Sequence, residues 1–393
     1  MSVSVEFKST ILKSDVIEMS KGKKKPWDDN WQILRPLGGG GQGNAFLVKH
    51  RDEADREYVL KVLKSQKALE RRERLHREVQ ALQLLQHPAI PKVVESNTHA
   101  FADIEVPLYF VIEYVEGQTL EERVSNGRLK IDEAVRLIIQ LSDILAHCHD
   151  NGILHRDIKP DNIILRGVNT IDPVLIDFGL SFNKEDAERA RLTPIDQQLG
   201  NRFLHLPELQ TGDSTKRHAE SDISQVCGLL FYALTGNAPG HLADHEDRKP
   251  HERASAKMIL DQIALPSLIS LFEKGFERVM DKRFHSFQAF KGRLHEVLDD
   301  FEYHSVSVNQ NAVTVTLETI KPEIKATLSQ GSGQELLSDE SVKAKETKSH
   351  ATQEDYYKGD HGDALMYASL LGAWNEKSEG DRDAIRELIE GDD

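Results

Sequence analysis

Within His155-Arg156-Asp157-Ile158-Lys159-Pro160-Asp161-Asn162 the chain sets a carboxylate, an ammonium and an amide on one short stretch, and a further carboxylate follows in Asp177-Phe178-Gly179. Moving a phosphoryl group asks for an oriented hydroxyl, cations on the phosphate oxygens and little covalent help. These two stretches supply groups of that kind. Upstream lies Gly38-x-Gly40-x-x-Gly43, which alone says little, because dinucleotide-binding loops share the spacing. Those loops join a strand to a helix and carry an acidic residue roughly 20 positions on. Here Trp31-Gln32-Ile33-Leu34 precedes the glycines and Ala45-Phe46-Leu47-Val48 follows them, and both read as strands. A hairpin of this type lets backbone amides approach phosphate oxygens without side-chain obstruction.

Lys61 sits in the apolar run Tyr58-Val59-Leu60-Lys61-Val62-Leu63, where an ammonium is costly unless it finds an anion or snorkels to water. Glu78, on the helix that follows, is a candidate partner. The ordered series of glycine loop, strand lysine and helical glutamate favours the pairing over the snorkel.

Stepping outward along the chain, Leu75, Val79, Leu82 and Leu85 recur at helical spacing and stop before Pro88. Leu108 to Val115 reads as another strand. After Gly117 the pattern turns helical, with a long amphipathic helix over Ile131–Cys148 and further helices over Ser221–Leu234, Met258–Ile269 and Phe287–Phe301. The expected organisation is an extension over 1–26, read as flexible, a strand-rich part over 27–115, and a helix-rich part over 116–303. A β-hairpin over 304–325, a polar linker over 326–360 and short terminal helices over 361–393 would form an accessory tail.

Composition sets the outer limits. A chain of 393 residues with 39% hydrophobic and 29% charged residues suits a soluble globular protein, and no apolar run approaches the roughly 20 residues of a membrane span. The net charge of −15 argues against a nucleic-acid footprint. Only Cys148 and Cys227 offer thiols, and residues 1–25 hold no apolar stretch of signal-peptide length, so a cytoplasmic setting is expected. Cys148 is read as a core residue. The spacing His241-x-x-Asp244-His245 faintly suggests zinc, against the more common case of solvated histidines.

Residues 155–162 resemble the catalytic loop of eukaryotic-like, Hanks-type serine/threonine protein kinases, and Val174-Leu175-Ile176-Asp177-Phe178-Gly179 resembles the strand and metal-binding turn that follow it. The resemblance covers roughly Trp27 to Phe301. It implies an α+β, bilobal protein-kinase fold, with a five-stranded antiparallel sheet and one major helix above a mainly helical second lobe. It further implies transfer of the ATP γ-phosphate to Ser/Thr hydroxyls of protein substrates, the chain itself included. Asp157 would orient or deprotonate the hydroxyl, Lys159 would steady the phosphate, and Asn162 and Asp177 would hold Mg2+, or Mn2+ in its place. Lys61, fixed by Glu78, would contact the α- and β-phosphates under the loop of Gly38, Gly40 and Gly43. Ile112 would be the gatekeeper, the Glu113 and Val115 backbone would face adenine, and Ala45, Val59 and Ile164 would wall it.

Further implied roles are structural or regulatory. Asp222 would brace the catalytic loop, Glu208 in Leu206-Pro207-Glu208 would pair with Arg283, and Arg156 would await a phosphate, with Thr193 as the acceptor. The family pattern is broken at Asn201, where a threonine is usual, at Leu206, where alanine is usual, and near Asp281, which lacks the customary proline. Two other readings compete: a small-molecule kinase of the same fold, which generally lacks the Lys159 and Leu206-Pro207-Glu208 features, and a pseudokinase acting as a binding module. The tail is expected to recruit a partner or to restrain the kinase.

Overall fold

The structure, a computed structural model, describes residues 24–39, 43–53, 55–64, 66–167, 171–183, 203–210 and 218–304. The chain divides after Tyr303. Of the part beyond that division only His304 is described, so the expected hairpin, linker and terminal helices lie outside the described residues, as do Gly40, Thr193, Asn201 and residues 1–23.

Five strands form one antiparallel sheet in the order β1-β2-β3-β5-β4: β1 (Trp31–Gly39), β2 (Gly43–His50), β3 (Glu57–Leu63), β4 (Val93–Ser96) and β5 (Tyr109–Glu113). Period-2 alternation divides the side chains between its faces. Tyr58, Leu60 and Val62 of β3 join Phe46, Val48, Tyr109 and Val111 on the outer face, where Trp27 and Trp31 complete a small core. Val59, Lys61 and Leu63 point the other way, towards α1 (Leu69–Leu84). The segment ahead of β1 therefore belongs to the sheet: Trp27 packs edge-on to Tyr109, and Glu95 accepts from Trp31 Nε1 at 2.9 Å.

The crossing to the second lobe is a tight backbone approach. Gly117 begins β6 (Gly117–Thr119) at φ +158°, and a Cβ built there would lie 2.1 Å from the Leu165 carbonyl oxygen, so no other residue fits without moving the strand. Thr119 then opens α2 (Leu120–Ser125) with a reciprocal capping box to Glu122.

Two helices carry the second lobe. In α3 (Ile131–Asp150) one stripe is buried. Nearly every position is buried in the central helix Ala219–Thr235, which Gly236 ends in the left-handed conformation. Between them run β7 (Ile153–Leu154), β8 (Ile163–Arg166), β9 (Pro173–Leu175) and β10 (Phe182–Asn183), with β6-β8-β9 and β10-β7 as small antiparallel sheets.

The single helix expected over Met258–Ile269 is two, Ala254–Ile263 and Pro266–Gly275. Ala264 caps the first at φ +54°, and Pro266 starts the second because its missing N–H is no loss in a first turn. A last helix spans 287–304. Among the described residues no helix is long and apolar enough to cross a membrane.

Candidate active site

The sheet side of the site is set by register. Ala45 lies opposite Lys61 and Val59 opposite Ile112, so all four share the face that carries the lysine. Gly43 faces Leu63 where the hairpin returns, and a Cβ on it would come within 2.7 Å of the Val62 carbonyl oxygen. Lys61 does not snorkel. Its Nζ lies 2.7 Å from Glu78 Oε1 and 3.3 Å from Asp177 Oδ1. Burial alone would lower its pKa, but the Asp177 and Glu78 carboxylates outweigh that and raise it, so the ammonium persists. Reciprocally, the Lys61 charge pulls Asp177 below the usual carboxylate range.

Asp157, Lys159 and Asn162 form a second cluster on the loop between β7 and β8. Lys159 Nζ donates to Asp157 Oδ2 at 3.0 Å. The Asn162 amide nitrogen donates to the Asp157 carbonyl at 2.7 Å and to Oδ2 at 3.3 Å. That commits the NH2 end of Asn162 to Asp157 and leaves the amide oxygen as the end a hard cation would take. Burial works against the Lys159 ammonium, yet the Asp157 carboxylate more than offsets it and raises its pKa.

Two residues beside these groups hold strained backbone, Arg156 at φ +66° and Asp177 at φ +65°. Non-glycine residues keep such angles only where the surroundings over-determine them. Asp222, fully buried, accepts from the His155 amide at 2.9 Å, the Arg156 amide at 2.8 Å and His149 Nε2 at 2.8 Å. Gln225, one helical turn on, accepts from the Ile158 amide at 3.0 Å and donates to the Arg156 carbonyl at 3.3 Å. His155 sits edge-on to Phe178 at 4.8 Å and its Nε2 lies 3.3 Å from the Ile176 carbonyl, tying residues 155–162 to the Asp177 turn. His149 and Gln225 escaped the reading of the sequence. The turn spacing of Gln225 from Asp222 on one buried helix was the available signal for the second of them.

The family model for the protein kinase domain matches residues 31–291. The chain belongs to the protein kinase family. It is 35% identical over 213 residues to the serine/threonine-protein kinase PrkC of Bacillus subtilis (53% of this chain, 31% of PrkC). It is 29% identical over 269 residues to the serine/threonine-protein kinase pkn2 of Myxococcus xanthus (65% and 31%). With the serine/threonine-protein kinase PknB of Mycobacterium tuberculosis it shares 30% over 301 residues (71% and 46%). The chain thus spans less than half the length of these relatives.

In this kinase domain the remaining expected residues fall as follows. Ile112 is buried on β5, and Glu113 ends that strand with its side chain accepting from Arg56 at 2.8 Å and from the Lys92 amide at 3.2 Å. Val115 follows it, and Ile164 pairs with Thr119 and Val174 in the sheet beneath. Glu208 and Arg283 are a buried pair at 2.6 Å, to which Ser221 Oγ adds a bond at 2.9 Å, and Leu206 beside them is buried. Arg156 donates to the Leu180 carbonyl at 2.9 Å and the Ser181 carbonyl at 3.3 Å.

Among the described residues, His241, Asp244 and His245 are not gathered into a set of metal ligands. Asp244 accepts from the Glu246 and Arg248 amides, each at 2.9 Å, as a turn cap, and the Arg248 amide leads the bonds that hold it down to about 2. Cys148 and Cys227 are buried free thiols whose pKa values burial pushes up.

Proposed function

We propose that this chain is an ATP- and Mg2+-dependent protein kinase that phosphorylates serine and threonine hydroxyls of other proteins and of itself. The carrying observation is convergence: Lys61 from β3, Glu78 from α1 and Asp177 meet at 2.7 and 3.3 Å, while Asp157, Lys159 and Asn162 are gathered on one loop within 2.7–3.3 Å. Such a set of charges suits a reaction whose catalysis is positioning and electrostatic stabilisation.

In this reading Asp157 receives the substrate hydroxyl and takes its proton as the oxygen attacks the γ-phosphorus and the bond to the β,γ-bridging oxygen breaks to release ADP, and Lys159 beside it carries the charge that gathers on the phosphoryl oxygens. Lys61 holds the α- and β-phosphates, with its ammonium aimed by Glu78. The side-chain oxygens of Asn162 and Asp177 fit a hard divalent cation, which supplies charge neutralisation across the phosphates when bound. Gly38, Gly40 and Gly43 cover the phosphates, while Ala45, Val59, Ile112 and Ile164 with the Glu113–Val115 backbone take the adenine. The relatives' names carry the serine/threonine assignment, and Lys159 agrees with it. A reducing cytoplasmic compartment fits the two buried free thiols.

The test is direct. The purified 393-residue chain, γ-labelled ATP, Mg2+ and a basic protein substrate should give label on serine or threonine by phosphoamino-acid analysis. Asp157→Asn and Lys61→Met should each lower the rate by about 100-fold or more. Equal labelling by wild type and Asp157→Asn, or label on tyrosine alone, would sink the assignment.

A further inference from the structure

Helix α1 is held at its two ends by different means. Its buried apolar residues, Leu75, Val79, Ala81 and Leu82, all lie beyond the first turn, while Leu69 at its start is half exposed and Ala68 provides no side-chain cap. The one buried residue of the first turn is Arg72, whose side chain is fully enclosed. A buried guanidinium without a matching bonding shell would be expensive. Here the shell is made of oxygen atoms.

Arg72 Nε donates to the Phe101 carbonyl at 2.7 Å, Nη2 to Ala100 at 3.0 Å and Asp103 at 2.5 Å, and Nη1 to Val106 and the Gln66 backbone, each at 3.0 Å. Nη1 also meets Gln66 Oε1 at 3.2 Å. Gln66 passes the connection on. Its Nε2 donates to the Leu63 carbonyl at 2.8 Å, and its Oε1 accepts from the Leu108 amide at 2.9 Å. Leu63 ends the strand that carries Lys61, and Leu108 directly precedes β5. One cation and one amide therefore fix the first turns of α1 to the end of β3, the approach to β5 and the connection between β4 and β5. His76, one turn on, stacks on Phe101 at 4.9 Å and strengthens the same seam.

We propose that Arg72, with Gln66, is the positioning device of the Lys61–Glu78 pair. Glu78 reaches Lys61 only if α1 lies against the sheet, and no buried apolar residue of the first turn holds it there. The start of the helix is thereby set by the first lobe's own connection, and Asp177 of the second lobe adds to the pair on the Lys61 side. The inference rests on the kinase reading for its consequence in rate, but not for its consequence in structure.

The experiment uses Arg72→Lys and Gln66→Ala in the 393-residue chain, with Leu268→Ala as a control that loosens a buried leucine in the second lobe. An ammonium keeps the charge but lacks the planar five-donor fork. Amide hydrogen exchange over residues 74–82 should rise about tenfold in Arg72→Lys and less in Gln66→Ala, with residues 138–145 unchanged. At saturating ATP and at a temperature where each protein is folded, kcat should fall about 10- to 100-fold for Arg72→Lys while KM for the protein substrate moves less than about threefold. Leu268→Ala should lower Tm and leave both readouts at wild-type values. If Arg72→Lys does not fold, Gln66→Ala decides alone. Lowered Tm with unchanged exchange in α1, or raised exchange with unchanged kcat, overturns the proposal. A wild-type protein that transfers no phosphate refutes the kinase reading instead, and the exchange arm still decides whether Arg72 holds α1.

Discussion

On the catalytic loop, Asp222 and Gln225 reach past the side chains and bond the backbone of His155, Arg156 and Ile158, so the positions of Asp157 and Lys159 follow from a buried helix. On the sheet, Lys61 and Glu78 meet through side chains alone, each carried by an element that must itself be placed. One region fixes its charges by over-determining a strained loop. The other fixes them by docking a helix. Damage to the first should therefore appear as lost stability together with lost activity, and damage to the second mainly as lost activity.

Asp222→Asn is the sharpest way to break that contrast. A carboxylate accepts from both backbone amides and from His149, whereas an amide turns an NH2 group towards one of them. Burial would raise the Asp222 pKa, but the bonds from His149 and the Arg156 amide bring it below the ordinary range, so the native loop selects the anion. The variant should lose about 3–5 kcal/mol in denaturant unfolding and phosphorylate nothing. Glu78→Gln, which keeps a bond to Lys61, should instead change stability by less than about 1 kcal/mol while cutting kcat by about tenfold or more. Equal losses of stability in the two variants would remove the distinction.

The Glu208–Arg283 pair tests whether this holds beyond the loop. Glu208→Ala leaves Arg283 buried, with the Glu277 and Arg278 carbonyls as its remaining acceptors among the described residues. It should cost about 3 kcal/mol or more by chemical denaturation. Glu208→Ala with an unaltered midpoint would show that the pair adds no rigidity to the second lobe.

What the sequence disclosed follows the same division. Residues 155–162, the Asp177 turn and Asp222 were singled out through the family resemblance, and Lys61 with Glu78 through the cost of an ammonium in an apolar strand. The strands were legible as short apolar runs, such as Tyr58 to Leu63, while the division of that run into two faces became visible only in the fold. Arg72 was not legible, since one arginine within Glu70-Arg71-Arg72-Glu73-Arg74 looks like its solvated neighbours, and only the fold shows which of them is enclosed. Gln225 was hidden because its partners are backbone atoms, which leave no trace in residue type, and His149 because its partner, the Asp222 carboxylate, lies 73 positions away in the chain. The break at Ala264 was missed because apolar spacing continues across it, although Pro266 marked the restart.

The smallest effect concerns a proton at the junction of the two regions. Glu121, in the first turn of α2, is raised to about 7 from an ordinary 4.5, first by a hydrogen bond with Asp161 of the catalytic stretch, then by burial and by the Asp161 charge, with Lys159 opposing. Protonated, Glu121 donates to Asp161; ionised, the two repel. A group whose pKa is higher in the folded state holds its proton there after the unfolded chain has released it, so its stabilising contribution is complete below pH 4.5 and is lost as pH rises towards 7. Glu121→Gln keeps an N–H donor for Asp161 at every pH. Its Tm, measured against wild type by calorimetry, should therefore gain between pH 5 and pH 8, by about 1–3 °C for a domain of this size because both carboxyls are largely solvated. A difference that stays flat across that interval would mean that Glu121 and Asp161 do not share a proton, and a difference of opposite sign would mean that the ionised pair is favoured through Lys159.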